Sequence, residues 1–267
     1  MARKSLKEER LGEVNISNEG YEMKIVEYNG KNDIWIEFQD EHKARVHKTY
    51  QNFKKGEVKN PYHPSIYGVG YLGVGKHKTN ENGKQTRKYK EWYCRFNICY
   101  NEYELNRNPT YKNVNVCEEW YNFQNFGDWY DEWLSLYPND LNEKLCIDKD
   151  ILVKGNKLYS PKTCMLVPER INMLFLKCDA NRGKYPIGVC WHKNTNKFMA
   201  SCSILDENGK KKFKNLGYYN TPNEAFLAYK KFKEKYIKLV ADEYYLQDKI
   251  PKIVYDAMYN WIVEIDD

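Results

Sequence analysis

The side chains with the most obvious chemical potential in this chain are its lysines, and they are unevenly placed. Residues 181–240 hold thirteen Lys/Arg against four Asp/Glu, a local charge of +9, while residues 118–150 hold nine Asp/Glu against two Lys, a local charge of −7. A third stretch, Lys76 to Lys90, is basic again, and the 267 residues together carry +6. Clustered ammonium groups attract polyanions, so the C-terminal part is expected to bind one and the acidic middle to do something else. The eight cysteines (Cys94, Cys99, Cys117, Cys146, Cys164, Cys178, Cys190 and Cys202) never form a C-x-x-C pair, and they read as reduced, buried hydrophobes rather than zinc ligands. The run of four glycines from Gly68 to Gly75 lacks the G-x-x-x-x-G-K-[ST] spacing of a phosphate cradle.

The elements that must position these groups can be read from periodicity. With 42% hydrophobic and 30% charged residues the chain can bury a core, and the expected class is α+β. In residues 17–75, YEMKIVEY and DIWIEFQD alternate like half-buried strands, with Asn29-Gly30 in the connection between them. Thr79–Arg87 (TNENGKQTR) reads as a linker or exposed loop. In CEEWYNFQNFGDWYDEWL, Trp120, Phe123, Phe126, Tyr130 and Trp133 recur at helical spacing, as a core stripe, with Gly127 expected to bend or split the helix. CIDKDILVKGNKLYS has a hairpin pattern, and PERINMLFLK a short helix from about Pro168.

From about Arg182, IGVCWHK, KFMASCSIL and KKFKNLGYY are three strand-like runs, the last two joined through Asn208-Gly209. The next helix opens with Thr221 as N-cap, Pro222 at its first position and Glu224 completing a capping box, and Ala225, Ala228, Phe232, Tyr236 and Leu239 line one face. The domain plan is therefore 1–87, a small β module with a Gly-rich loop; 88–180, a middle segment; and 181–267, a sheet-and-helix module with a last amphipathic segment after Pro251. No apolar run reaches membrane-span length, and MARKSLKEERLG has no signal-peptide core, so the expected location is the cytoplasm.

Gly188-Val189, Lys197-Phe198, Ala200, Leu216-Gly217-Tyr218-Tyr219 and TPNEAFLAY resemble the plant ethylene-response-factor, or APETALA-type, DNA-binding domain over residues 185–240, about a fifth of the chain. The resemblance implies that the sheet lies in the major groove of double-stranded DNA. With Phe198, Ala200 and Cys202 on the helix side, Lys197, Met199, Ser201 and Ser203 face DNA, and His192, Phe213 and Asn215 join them by matching positions. Lys193, Lys211, Lys212 and Lys214 are read as phosphate contacts. The plant domains use Arg and Trp at base-reading positions; Ile187, Cys190, Ser203 and Asn215 stand there in this chain, which implies weaker or redirected specificity.

YKNVNVCEEWYNFQNF (Tyr111–Phe126) and IDKDILVKGNKLYSPKTCMLVP (Ile147–Pro168) resemble the phage and homing HNH-endonuclease family, in the family's usual order. The resemblance implies a ββα site that holds a divalent metal. Its general-base histidine position is Lys149 here, and the Asn before the cysteine is Thr163. Asp148, Asp150 and Asn156 remain as catalytic candidates, with Asp148 and Asp150 as ligands for one Mg²⁺. His63 and His77 lie outside the hairpin and enter only if folding brings one near. The leading expectation is a phage or mobile-element DNA-binding protein with a degenerate HNH site. The rivals are an active metal-dependent endonuclease or nickase, and a protein that binds a host protein, for example to counter a defence system.

Overall fold

The computed structural model describes residues 5–176, 183–205, 210–265 and 267, so Cys178, Arg182 and the Asn208-Gly209 turn lie outside the described residues. The fold is α+β. By contacts the chain forms two compact units, one of residues 1–131 with 157–161 and one of 132–156 with 162–267.

The first unit opens with helix α1 (Leu6–Arg10) and an antiparallel meander in the order β1 (Val14–Ile16), β2 (Glu22–Gly30), β3 (Asp33–Phe38) and β4 (Arg45–Lys48), followed by helix α2 (Tyr50–Lys54). Alternation puts Met23, Ile25, Ile34, Ile36 and Phe38 inside, and Phe53 of α2 closes the core. An irregularity between Ile25 and Glu27 shifts β2 by one residue, which is why Tyr28 is buried and Glu27 is not. Gly30 still pairs with Asp33, so the turn falls on Lys31-Asn32 rather than on Asn29-Gly30. The expected loop at 79–87 contains a small ribbon, β5 (Asn80–Glu81) with β6 (Lys84–Gln85). Asn82 and Gly83 both have positive φ there, at 50° and 74°, as a tight hairpin turn requires.

Helix α3 (Arg87–Tyr100), N-capped by Thr86, buries Trp92 and Phe96, and helix α4 (Glu102–Arg107) follows, capped by Asn101. The aromatic stripe is core: Trp120, Phe123, Phe126 and Tyr130 are buried, and the Trp92 indole donates to the Trp120 carbonyl at 2.7 Å. The break in the helix falls at Asn122 rather than at Gly127. A 3₁₀ turn covers Glu118–Tyr121, and α5 runs through Phe123–Ser135. The cause is the Gly-rich strand of chain beside it. Tyr71 N–H donates to the Tyr121 carbonyl at 2.8 Å and Phe123 N–H donates to the Tyr71 carbonyl at 3.0 Å, so Asn122 is held in a bridge instead of a helical turn.

Segment 146–160 does not close on itself as the expected hairpin. Strand β7 (Asn115–Val116) pairs in parallel with β9 (Leu158–Tyr159) in the first unit, and β8 (Leu145–Asp148) pairs antiparallel with β10 (Met165–Pro168) in the second. Every residue of β10 is buried, which makes it a better apolar partner than Leu158–Tyr159, where only Tyr159 is. Helix α6 (Glu169–Phe175) follows β10 directly.

The remaining strands, β11 (Val189–His192), β12 (Lys197–Leu205) and β13 (Lys211–Tyr219), form an antiparallel sheet in that order. Helix α7 (Pro222–Tyr245) backs it, and its Thr221/Glu224 capping box is formed. Ala200, Cys202, Phe226, Tyr229 and Val263 make the core between them. Leu239 is exposed rather than part of the buried face, which instead continues through Ile237, Val240, Ala241 and Tyr244. The C-terminal end of α7 also packs on α8 (Lys252–Tyr259), with Lys238 over the Tyr259 ring and Tyr245 stacked on Tyr255, and that turns the buried stripe. Arg170 of α6 holds Glu243 of α7 with two bonds, 2.7 and 3.0 Å, joining β8–β10–α6 to the sheet module within one unit.

Gly127 lies in α5 where a Cβ would stand 2.3 Å from Cδ2 of the buried His77 ring. Ala replacing Gly inside a helix ordinarily stabilises by about 1 kcal/mol. Gly127→Ala is expected to destabilise instead, by about 1–3 kcal/mol through overpacking, and chemical denaturation of the two proteins checks the sign.

Candidate functional site

The three-stranded sheet offers one face to α7 and one to solvent. Its register assigns each side chain. Val189 pairs with Ala200 and Trp191 with Phe198 on the helix side, while Cys190 pairs with Met199 and His192 with Lys197 on the outer side. Across the other seam, Tyr218, Asn215 and Phe213 stand opposite Met199, Ser201 and Ser203. Lys197, Ser201, Ser203, His192, Phe213 and Asn215 therefore share the outer face, with Lys211 alongside. Phe213 is 75% exposed and Tyr218 40%. The His192 ring lies 4.9 Å from that of Tyr218, and its Nδ1 is 3.0 Å from the Thr195 hydroxyl in the turn that carries Lys193.

A bulge near the end of strand three decides which of its lysines face outward. Ala200 faces Gly217 and Ser201 faces Asn215, so Leu216 is the extra residue. Cys202 then pairs with Lys214 and Ile204 with Lys212, which puts these two lysines on the helix side. The Lys214 ammonium sits 4.9 Å from the centre of the Phe232 ring of α7. The outer face thus keeps Lys197 and Lys211, with Lys193 at the turn. The bulge also employs Asn215: its Oδ1 accepts the Gly217 N–H at 2.8 Å, and its Nδ2 donates to the Tyr218 hydroxyl at 3.1 Å. Gly217 has φ 127°, a conformation other residues resist. The amide expected to read a base is thus also the clip of the bulge.

The carboxylates after β8 are occupied in a comparable way. Asp148 Oδ1 accepts the backbone N–H groups of Asp150 and Ile151 at 2.8 and 2.6 Å, closing the turn. Burial pushes the Asp148 carboxyl above its ordinary pKa, against the downward pull of those two donors. Lys149, with 11% of its side chain exposed, donates to Asp150 Oδ2 at 2.7 Å and to the Asn156 carbonyl at 2.8 Å. Asn156 Nδ2 returns a bond to the Lys149 carbonyl at 3.0 Å. Asp148, Asp150 and Asn156 are brought together, but around an ammonium group. A Mg²⁺ ion needs several oxygens facing one empty point; here one Asp148 oxygen serves the turn and a lysine cation stands on Asp150. These residues do not fit the expected metal, and among the described residues no group of three or more His, Cys, Asp or Glu is arranged to hold one.

His63 and His77 both belong to the first unit, whereas Asp148, Asp150 and Asn156 belong to the second. His63 Nδ1 meets the Tyr21 hydroxyl at 3.3 Å. His77 is the centre of a cluster that periodicity could not reveal. Its Nε2 faces Asp128 Oδ1 at 3.0 Å and its Nδ1 faces the Lys88 ammonium at 3.0 Å. An ammonium only donates, so in the neutral ring Nδ1 accepts and the proton sits on Nε2, toward Asp128. Lys88 also binds both oxygens of Asp131 at 2.8–2.9 Å, and Lys76 binds Asp128 at 2.7 Å. Hydrogen bonds from Lys76 and His77 hold the Asp128 carboxyl below its ordinary pKa. With both ring nitrogens engaged and 3% of the side chain exposed, His77 is a structural clamp. The one advance signal was the pair Asp128 and Asp131, one helical turn apart on α5.

No family model, curated protein or solved structure matches this chain. Among the described residues no helix is long and apolar enough to cross a membrane.

Asp148→Asn keeps an oxygen for both turn N–H groups and removes a charge that burial disfavours. A carboxyl with a raised pKa in the folded state contributes stability at low pH that is lost as pH rises through the folded value. The variant should therefore gain on the parent as pH rises above about 4, the ordinary Asp value, whereas Asp148→Ala should lose about 1–3 kcal/mol by orphaning the two donors. Thermal melts across pH check both. For Asn215, Asp is expected to preserve the melting temperature, because it retains the acceptor for Gly217. Asn215→Ala should lower stability by about 1 kcal/mol; equal melting of all three proteins would deny the clip.

Proposed function

We propose that this chain binds double-stranded DNA with the outer face of its β11–β13 sheet. The observation that carries the reading is the composition of that face: lysines at 193, 197 and 211 around the small hydroxyls Ser201 and Ser203, with the Phe213 ring standing clear of the protein. The major groove admits a β-ribbon, small polar side chains let the backbone approach base edges, and an exposed ring can meet thymine methyl groups. Ammonium groups at the rim suit phosphates on either side of the groove. The APETALA-type resemblance of residues 185–240 supports the same docking.

The HNH-like strings support descent from a homing endonuclease of a phage or other mobile element, acting in the host cytoplasm, with its nuclease chemistry lost. The Lys149–Asp150 ion pair, 2.7 Å long, favours that reading over an active endonuclease. Lys193, Lys197 and Lys211 favour nucleic acid over a host protein as the occupant of the face.

Duplex binding by the full chain should weaken steeply with salt. Lys197→Ala/Lys211→Ala should reduce the slope of log affinity against log salt by about 2, equally on preferred and random duplex. Ser201→Val should harm the preferred duplex more than the random one, since only base contacts carry sequence. Fluorescence anisotropy titrations measure both, and an affinity indifferent to salt would sink the proposal.

A further inference from the structure

The ribbon β5–β6 buries none of its side chains between Asn80 and Gln85. Two strands of this length are marginal by themselves, yet the ribbon is carefully rooted. Thr86 N–H donates to the Thr79 carbonyl at 2.9 Å, the Thr86 hydroxyl donates to the Lys78 carbonyl at 2.9 Å, and the same oxygen caps α3. On one side of the root stands His77, clamped between Asp128 and Lys88. A projection that contributes nothing to the core but is anchored at both ends presents its side chains to something outside the chain.

Its chemistry names the occupant. From Lys76 to Lys90 there are six Lys/Arg and a single acid, Glu81. Asp128 and Asp131 neutralise Lys76 and Lys88, whereas Lys78, Lys84 and Lys90 are exposed and make no ion pair among the described residues. Between these cations the ribbon carries three amides. Asn80 pairs across the strands with Gln85, and Asn82 sits at the tip. Asn and Gln are the side chains that pair with adenine edges in the major groove, and a two-stranded ribbon is of a size to enter it. We propose that the Thr79–Thr86 ribbon is a DNA contact in its own right, with Lys78, Lys84 and Lys90 on phosphates and the amides of Asn80, Asn82 and Gln85 toward base edges. The proposal rests on the reading of the chain as a duplex binder and adds a contact independent of the C-terminal sheet.

The test compares three full-length proteins on a random-sequence duplex across about 50–200 mM salt: the parent, Lys78→Ala/Lys84→Ala, and the sheet variant Lys197→Ala/Lys211→Ala. The ribbon variant should melt like the parent, bind at least about tenfold more weakly, and lose about 2 from the salt slope. Lys78→Arg/Lys84→Arg, which keeps the charge, should restore the slope. On a duplex selected for tight binding, Asn80→Ala/Gln85→Ala should shorten the hydroxyl-radical footprint. A ribbon variant that binds like the parent while the sheet variant weakens overturns the ribbon contact alone, leaving an acidic protein as the better partner for this surface. A ribbon variant that weakens while the sheet variant does not upholds the ribbon and overturns the sheet reading. No binding by the parent overturns both.

Discussion

Side chains on a pleated strand alternate between faces, and one extra residue reverses the alternation from that point on. In β13 the extra residue is Leu216, and the character of the outer sheet face depends on it. Before the bulge, Lys211, Phe213 and Asn215 look outward; without it they would face α7, and Lys212 and Lys214 would take the surface. The bulge in turn depends on Gly217, whose positive φ it requires, and on Asn215, whose amide accepts the Gly217 N–H. A ring as large as that of Phe213 and a face of small hydroxyls are thus placed together by one backbone irregularity.

In the turn after β8 the acidic side chains are engaged by the chain itself. Asp148 holds two backbone donors, and Lys149 lies back across the loop to Asp150 and the Asn156 carbonyl. The positive charge that a metal would supply is already present as an ammonium group, fixed by two acceptors and largely shielded from water. The strands that frame it, β8 and β10, are apolar toward the core and followed at once by α6.

In the first unit a different lysine has the same role. Lys88 bridges His77 and Asp131, Lys76 covers Asp128, and Gln124 holds the backbone at His77, accepting its N–H at 2.9 Å and donating to its carbonyl at 3.1 Å. The acidic face of α5 is consumed in fastening the Gly-rich chain and the root of the basic ribbon. Charges that the composition sets apart, acidic middle and basic flank, are here partners in one cluster.

The sequence by itself determined the local elements and their inner faces. The strands at 22–38, the aromatic face of α5, the Thr221 capping box and the outward set Lys197, Met199, Ser201 and Ser203 all follow from period and capping chemistry, which act over a few residues. Tertiary structure alone decided what lies between those elements. Strand β8 pairs with β10 across sixteen intervening residues because β10 is the more apolar partner, and α5 begins at Phe123 because Tyr71 takes its hydrogen bonds. Lys212 and Lys214 face the helix because a bulge, invisible to a period-two pattern, sits between them and the strand's end. His77, at 47 and 51 residues from its partners Gln124 and Asp128, could not be placed by spacing at all, since hydrogen bonds across such distances exist only after the chain has packed.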